Sequence, residues 1–138
     1  MTPTLLLRPL EHGPRPAVVA PEGLFTYADL AAASAAVAAR LLHGREDMGE
    51  ARVCFLVPAG WQWVTTAFGV WRAGGLAVPL AVSHPTAELA RVLDDADPER
   101  VVAHPALADR VAAEAAARGV PVTPPGELTK PGGGAASV

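Results

Sequence analysis

The chain has 138 residues and a mass of 14.2 kDa, the size of one ordinary domain. Alanine accounts for 29 residues, so sixteen valines, fifteen leucines and seven aromatics must do the packing, enough for one modest core. Eleven basic residues against 14 acidic ones give a net charge of -3, which excludes the clustered positive charge that nucleic acid requires.

The opening residues, Met1 to Arg8, lack the positive n-region and long apolar stretch of a secretory signal. No uncharged run approaches the ~20 apolar residues that span a bilayer. The expectation is a soluble, cytoplasmic protein with no membrane partner. Residues 1–16 form an N-terminal lead. Pro16 to Ala20 reads as a strand, Glu22-Gly23 as a turn, and Leu24-Phe25-Thr26 as the returning strand of a short hairpin. Thr26 suits a helix N-cap, with Asp29 three residues on as its capping-box partner. Leu30, Val37 and Leu41 continue at helical spacing, and Gly44 supplies the left-handed end. Gly44 to Glu50 is polar enough for a surface loop.

Arg52 to Val57 is nearly all apolar, the pattern of a strand buried on both faces. Trp61, Val64, Phe68 and Trp71 then recur on one face of a helix, and Gly74-Gly75 closes it. Leu76 to Leu80 is a second strand, with Pro79 near its end, which either places it at an edge or stops its pairing there. A helix from Pro85 to about Ala96 turns Leu89, Val92 and Leu93 inward. Arg100 to Ala103 is a third strand, Pro105 to Arg118 a fourth helix, and Val120 to Thr123 a fourth strand. This alternation predicts an α/β fold, a mainly parallel sheet with helices packed on it, preceded by the hairpin and spanning residues 17–123. Residues 124–138, rich in proline and glycine, are expected to be a disordered tail.

Ligands of such sheets sit at the carboxyl ends of the strands. Here those ends carry neither a G-x-G-x-x-G turn nor a glycine-rich loop ending in Lys-Ser or Lys-Thr. Of the histidines, His12 and His43 read as solvated. His84 and His104 both follow strands and precede prolines, so they either converge on one rim or simply open helices. Asp94, Asp95 and Asp97 cluster before a strand, where a solvated loop is the better reading than a magnesium pocket. Lys130 is the single lysine, and its glycines follow it, the reverse of a phosphate loop. Cys54 excludes an internal disulfide or a cysteine zinc site and reads as a small buried hydrophobe. Composition and spacing show no catalytic constellation and no metal site.

Three segments in order add a resemblance. Leu24-Phe-Thr-Tyr-Ala-Asp-Leu30 with its alanine-rich helix resembles the first core motif of adenylate-forming enzymes, the superfamily of acyl-CoA synthetases, luciferases and peptide-synthetase adenylation domains. Arg52 to Ala59 resembles that family's next strand, and Trp71-Arg-Ala-Gly-Gly-Leu-Ala-Val-Pro-Leu80 its second core motif. His84-Pro-Thr-Ala-Glu-Leu89 and Val101-Val-Ala103 also fit, so the likeness covers roughly Ala17 to Val122 and is nearest to malonyl- or fatty-acyl-CoA synthetases.

The resemblance implies a two-step ligase. A carboxylate attacks Mg-ATP to give an acyl-adenylate and pyrophosphate, and the coenzyme A thiol then displaces AMP. It also implies that the chemistry lies downstream of these motifs. This sequence lacks the Ser/Thr/Gly-rich phosphate loop, the aromatic-Thr-Glu segment, the ribose-binding Asp and the C-terminal domain with its catalytic lysine. The chain alone is therefore expected to be an inactive, truncated N-terminal subdomain that needs no cofactor, whereas full-length relatives use ATP, magnesium and coenzyme A. Its expected partner is the missing C-terminal portion of the synthetase, or a second copy of itself. Its one candidate cofactor contact is His84, toward a coenzyme A phosphate. A stand-alone α/β interaction module is the alternative.

Overall fold

A computed structural model describes residues 11–129. Residues 1–10 of the N-terminal lead, and Lys130 with the rest of the tail, lie outside the described residues. Strands β1 (Pro16–Ala20) and β2 (Gly23–Thr26) pair antiparallel, with Val19 opposite Leu24. Thr26 then caps helix α1 (Tyr27–Leu42) in the expected capping box. Its hydroxyl accepts the Asp29 N–H at 3.1 Å, and its own N–H donates to the Asp29 carboxylate at 2.8 Å. The left-handed turn that ends α1 begins one residue before the expected Gly44, at His43 (φ 48°), whose N–H bonds the Ala39 carbonyl. The following loop is not wholly on the surface. Met48 is 4% exposed, held in place by its N–H on the Ala73 carbonyl at 2.8 Å.

Strand β3 (Arg52–Leu56) is the centre of a parallel four-stranded sheet ordered β4-β3-β5-β6, where β4 is Leu76–Pro79, β5 Arg100–Ala103 and β6 Val122–Thr123. The edge position of β4 is one of the two outcomes that Pro79 allows. Alternation along β3 divides the core between two faces. Val53 and Phe55 pack with Val102 beneath α1 and α2 (Trp61–Arg72). Cys54 and Leu56 pack with Val101 and Ala103 against α3 (Thr86–Ala96) and α4 (Asp109–Ala117). All four β3 side chains from Val53 to Leu56 are fully buried, as a continuous apolar run requires.

Helix α2 covers the sheet with Thr65, Thr66, Ala67, Gly69 and Val70, and its Trp63 meets Phe55, while Trp71 on the other side is 41% exposed. The cause is α1, whose backbone lies so close that only Gly69 fits beside Val37. Pro85 is the N-cap of α3 instead of its first residue, whereas Leu89 and Leu93 are enclosed as expected and Val92 packs half-buried against the same cluster. Helix α4 starts at Asp109, not Pro105, because the His104 ring accepts the Ala106 N–H at 3.1 Å and holds residues 105–108 in turns. Strand β6 is shortened to two residues, since Pro121 has no N–H to pair and Val120 donates back to Ala115.

The tail also departs from its expected disorder at its start. Pro125–Thr129 form a short helix α5, with Pro125 and Leu128 buried and Leu128 joining the core under α1 and α2. Leu128 is the one large apolar side chain available there, and its burial anchors the turn. No helix among the described residues is long and apolar enough to cross a membrane.

Candidate functional site

The carboxyl ends of the parallel strands form a rim with two shallow clefts that meet at Gln62 and His104. One, of about 390 Å³, is bounded by Pro105, Pro124, Gly126 and Glu127. The other, of about 180 Å³, is bounded by Glu22, Val57, Pro58 and Ala59. The β3–α2 loop supplies the floor. At its end Gly60 lets the hairpin turn approach closely, because a Cβ there would lie 2.8 Å from a Glu22 carboxylate oxygen. Glu22 accepts the Trp61 N–H at 3.4 Å, placing a negative charge on the positive end of α2. Phe25 stacks on Trp61 with ring centroids 4.0 Å apart and planes 7° from parallel, so the hairpin is fastened to α2 at two points.

His104 is half-buried on this rim. Its Nδ1 accepts the Ala106 N–H, which leaves Nε2 as the protonated donor of the neutral ring. His84 is half-buried in the turn after β4 and does not line either cleft, so the two imidazoles do not share the rim pocket. Its backbone carbonyl, with that of Val82, is held by the Arg110 guanidinium. His12 is exposed beside Tyr27, and His43 is an exposed helix cap. Asp94 and Asp97 reach Arg118 at 2.5 and 3.7 Å, which ties the end of α3 to the end of α4. Among the described residues no three His, Cys, Asp or Glu side chains are grouped as a metal site. Glu22, Gln62 and Arg110 were not marked by any motif; the glutamate and Trp61 are 39 positions apart.

Cys54 is fully buried in the centre of the sheet, and burial pushes its thiol up to about 11, against the opposing pull of Arg118 and Arg52. A raised thiol pKa means that the unfolded chain, titrating near 9.0, holds fewer protons than the folded one between pH 9 and about 11. Stability is expected to fall through that window relative to neutral pH. Urea midpoints measured from pH 8 to 11 should decline less steeply in Cys54→Ala, and parallel curves for the two proteins would refute the assignment.

The sequence profile of the AMP-binding enzyme family matches residues 8–130 of this chain. The chain belongs to that family. This AMP-binding domain is 34% identical over 112 residues to the mitochondrial malonate–CoA ligase of Xenopus laevis, covering 78% of this chain and 19% of that one. It is 39% identical over 80 residues to a probable CoA ligase of Humulus lupulus, covering 56% and 13% respectively. In fold it is similar to apo MatB from Rhodopseudomonas palustris, with a TM-score of 0.74, 28% identity, and coverage of 88% of this chain and 25% of that chain. A benzoate CoA ligase from Burkholderia xenovorans, at 19% identity and a TM-score of 0.77, shares the fold over 91% of this chain and 27% of its own. The chain thus spans about an eighth to a quarter of the length of these relatives. The resemblance read from its motifs is correct, and it corresponds to the N-terminal part of an AMP-dependent synthetase.

The family is ATP- and CoA-dependent, but the residues lining these clefts do not fit the phosphates of a nucleotide triphosphate. The two clefts are lined by the carboxylates of Glu22 and Glu127 and by neutral groups, with no arginine or lysine. Arg52 and Arg100 open strands β3 and β5 at their opposite ends.

Proposed function

We propose that these 138 residues are the scaffold-forming N-terminal part of an AMP-forming acyl–CoA ligase, and that by themselves they do not activate a carboxylate. The whole enzyme's substrate, on this reading, is malonate or a comparably small carboxylic acid, as the names of its similar proteins suggest. The observation that carries the proposal is a family fold over nearly all of the described chain combined with two strand-end clefts whose linings hold glutamates and no arginine or lysine. Removing one preorganised donor costs roughly 10²–10³-fold in rate. Lacking the whole phosphate cradle removes most of the ~8–23 kcal/mol that catalysis supplies. In the assembled enzyme His84 is our candidate contact for a coenzyme A phosphate, on a turn whose carbonyls Arg110 already holds.

The test is exchange of labelled pyrophosphate into ATP by the purified chain, with malonate, methylmalonate and short fatty acids offered in turn. No exchange above buffer is the expected result. Exchange with any of these acids would overturn the claim of inactivity.

A further inference from the structure

The turn between β5 and α4 is closed by one imidazole nitrogen. As the chain leaves the sheet after Ala103, the His104 N–H still donates to the Leu56 carbonyl at 3.0 Å. The side chain then bends back over its own backbone, and Nδ1 accepts the Ala106 N–H at 3.1 Å. In ordinary turns of this kind an asparagine or aspartate oxygen makes that bond, two residues on. The Leu107 N–H meets the His104 carbonyl at 2.8 Å, and the Arg110 N–H meets the Leu107 carbonyl at 3.0 Å. Residues 105–108 therefore stay in turns until α4 begins at Asp109.

A carboxamide holds such a turn at every pH, but an imidazole does not. Its bare nitrogen accepts only while the ring is neutral, and in the cation both nitrogens carry protons and donate. Imidazole is also the side chain whose charge ordinarily changes between pH 5 and 8. A second proton therefore sets two N–H groups against each other across the 3.1 Å that now separates Nδ1 from the Ala106 nitrogen. The cation has acceptors to turn to. Glu22 of the hairpin turn and Glu127 of α5 line the clefts that meet at His104, and no arginine or lysine lines either one. The other elements facing the ring are uncharged there, with Gln62 from α2 and Val57, Pro58 and Ala59 from the β3–α2 loop.

We propose that His104 is a pH-sensitive latch of the strand-end rim. The neutral ring holds the 105–108 turn shut through Ala106. Protonation breaks that bond, frees the turn and puts a cation where the Glu22 and Glu127 clefts meet. Two parts of the fold converge on that turn. Leu107 and Ala108 pack on the cluster that contains Leu56 and Val111, and the Arg110 guanidinium reaches across to the Val82 and His84 carbonyls of the turn after β4. The latch is a property of this chain whether or not it forms part of a ligase.

The experiment is nuclear magnetic resonance on the full 138-residue chain between pH 8 and pH 5, beside His104→Asn and His104→Ala. Solvent exchange of the Ala106 amide is measured and divided by the rate of an unprotected peptide at the same pH. Protection in the parent should fall about two- to tenfold on acidification, the range for one hydrogen bond of ordinary net strength. The fall should share its midpoint with the ring signals of His104. His104→Asn should stay protected throughout, because its carboxamide oxygen accepts the same N–H without titrating. His104→Ala should be unprotected throughout, so the parent should match the asparagine variant at pH 8 and the alanine variant at pH 5.

His84 remains in every variant and lines neither cleft. A pH response at Ala106 that His104→Asn shares with the parent would therefore belong to another group and overturn the proposal. Flat protection in the parent, or an Ala106 amide already unprotected at pH 8, would do the same. So would an equal loss of protection along β3, which marks unfolding of the domain and not the opening of one turn. If His104→Ala does not fold, the contrast between the parent and His104→Asn still decides.

Discussion

Replacing Phe55 with alanine is expected to remove about 3–5 kcal/mol of folding stability and to bring the chain close to its unfolding threshold. Phe55 is fully buried in the central strand, on the side of the sheet that α1 and α2 cover. Its ring meets Trp63 edge-on at 5.4 Å and lies in the same cluster as Val102 from the neighbouring strand. Truncation loses the transfer of a whole phenyl group, leaves a cavity bounded by two helices and a sheet, and removes an aromatic contact worth about 0.5–1.5 kcal/mol. Domains of this size hold only about 5–15 kcal/mol. With a urea dependence of about 1–3 kcal/mol per molar, the midpoint should fall by roughly 2 M or the transition should vanish. Phe55→Leu should recover most of the loss, costing about 1.5 kcal/mol or less if the neighbours repack. A midpoint shift below about 0.5 M for the alanine variant would show that this side of the sheet is not the main core.

Phe55 was legible as buried because its whole run is apolar, and the two-faced burial of β3 follows from that alone. The capping box at Thr26 and Asp29 was legible for a similar reason, since both partners lie within one turn. The orientation of α2 was not legible. Periodicity identifies which residues share a side of a helix, but it does not say which side the rest of the chain will cover. Trp61, Phe68 and Trp71 share one side here and Trp63 the other, and the close approach of α1 at Gly69 fixes which side is buried. The early start assigned to α4 failed because one imidazole nitrogen competes for a backbone N–H, a choice that composition does not reveal.

The rim was only partly legible. His104 was marked by its position after a strand, whereas Glu22 and Gln62 reach it through tertiary contacts. The motif from Trp71 to Leu80 proves to be a structural junction. Arg72 donates to the Ala31 carbonyl and the Ser34 hydroxyl of α1, both at 2.9 Å. Gly74 turns left-handed (φ 83°) at the end of α2, where a side chain would strike Asp47, and its carbonyl accepts the Glu50 N–H. A family signature here therefore reports how α1, α2 and β4 are joined, and it says nothing of catalysis.

That junction depends on the contact between α1 and α2, and Gly69→Ala is expected to cost about 2–3 kcal/mol net. Two effects oppose each other. Alanine in place of a helical glycine gains about 1 kcal/mol of propensity. Against this, the new Cβ would lie 2.2 Å from Val37 Cγ1 and 2.4 Å from Val37 Cβ, where carbon atoms prefer about 3.5–4.0 Å. Val37 is itself fully buried and β-branched, so it cannot rotate away. The helices must separate by more than an ångström, which loosens the packing of Val37, Ala67 and Val70 over the sheet. Overpacking outweighs propensity, and the urea midpoint should drop by about 1 M or more. Val37→Ala added to this variant should restore little, because the 2.4 Å contact involves an atom that alanine retains. Full recovery by that second substitution, or a gain in stability from Gly69→Ala alone, would mean that α1 and α2 have room to spare.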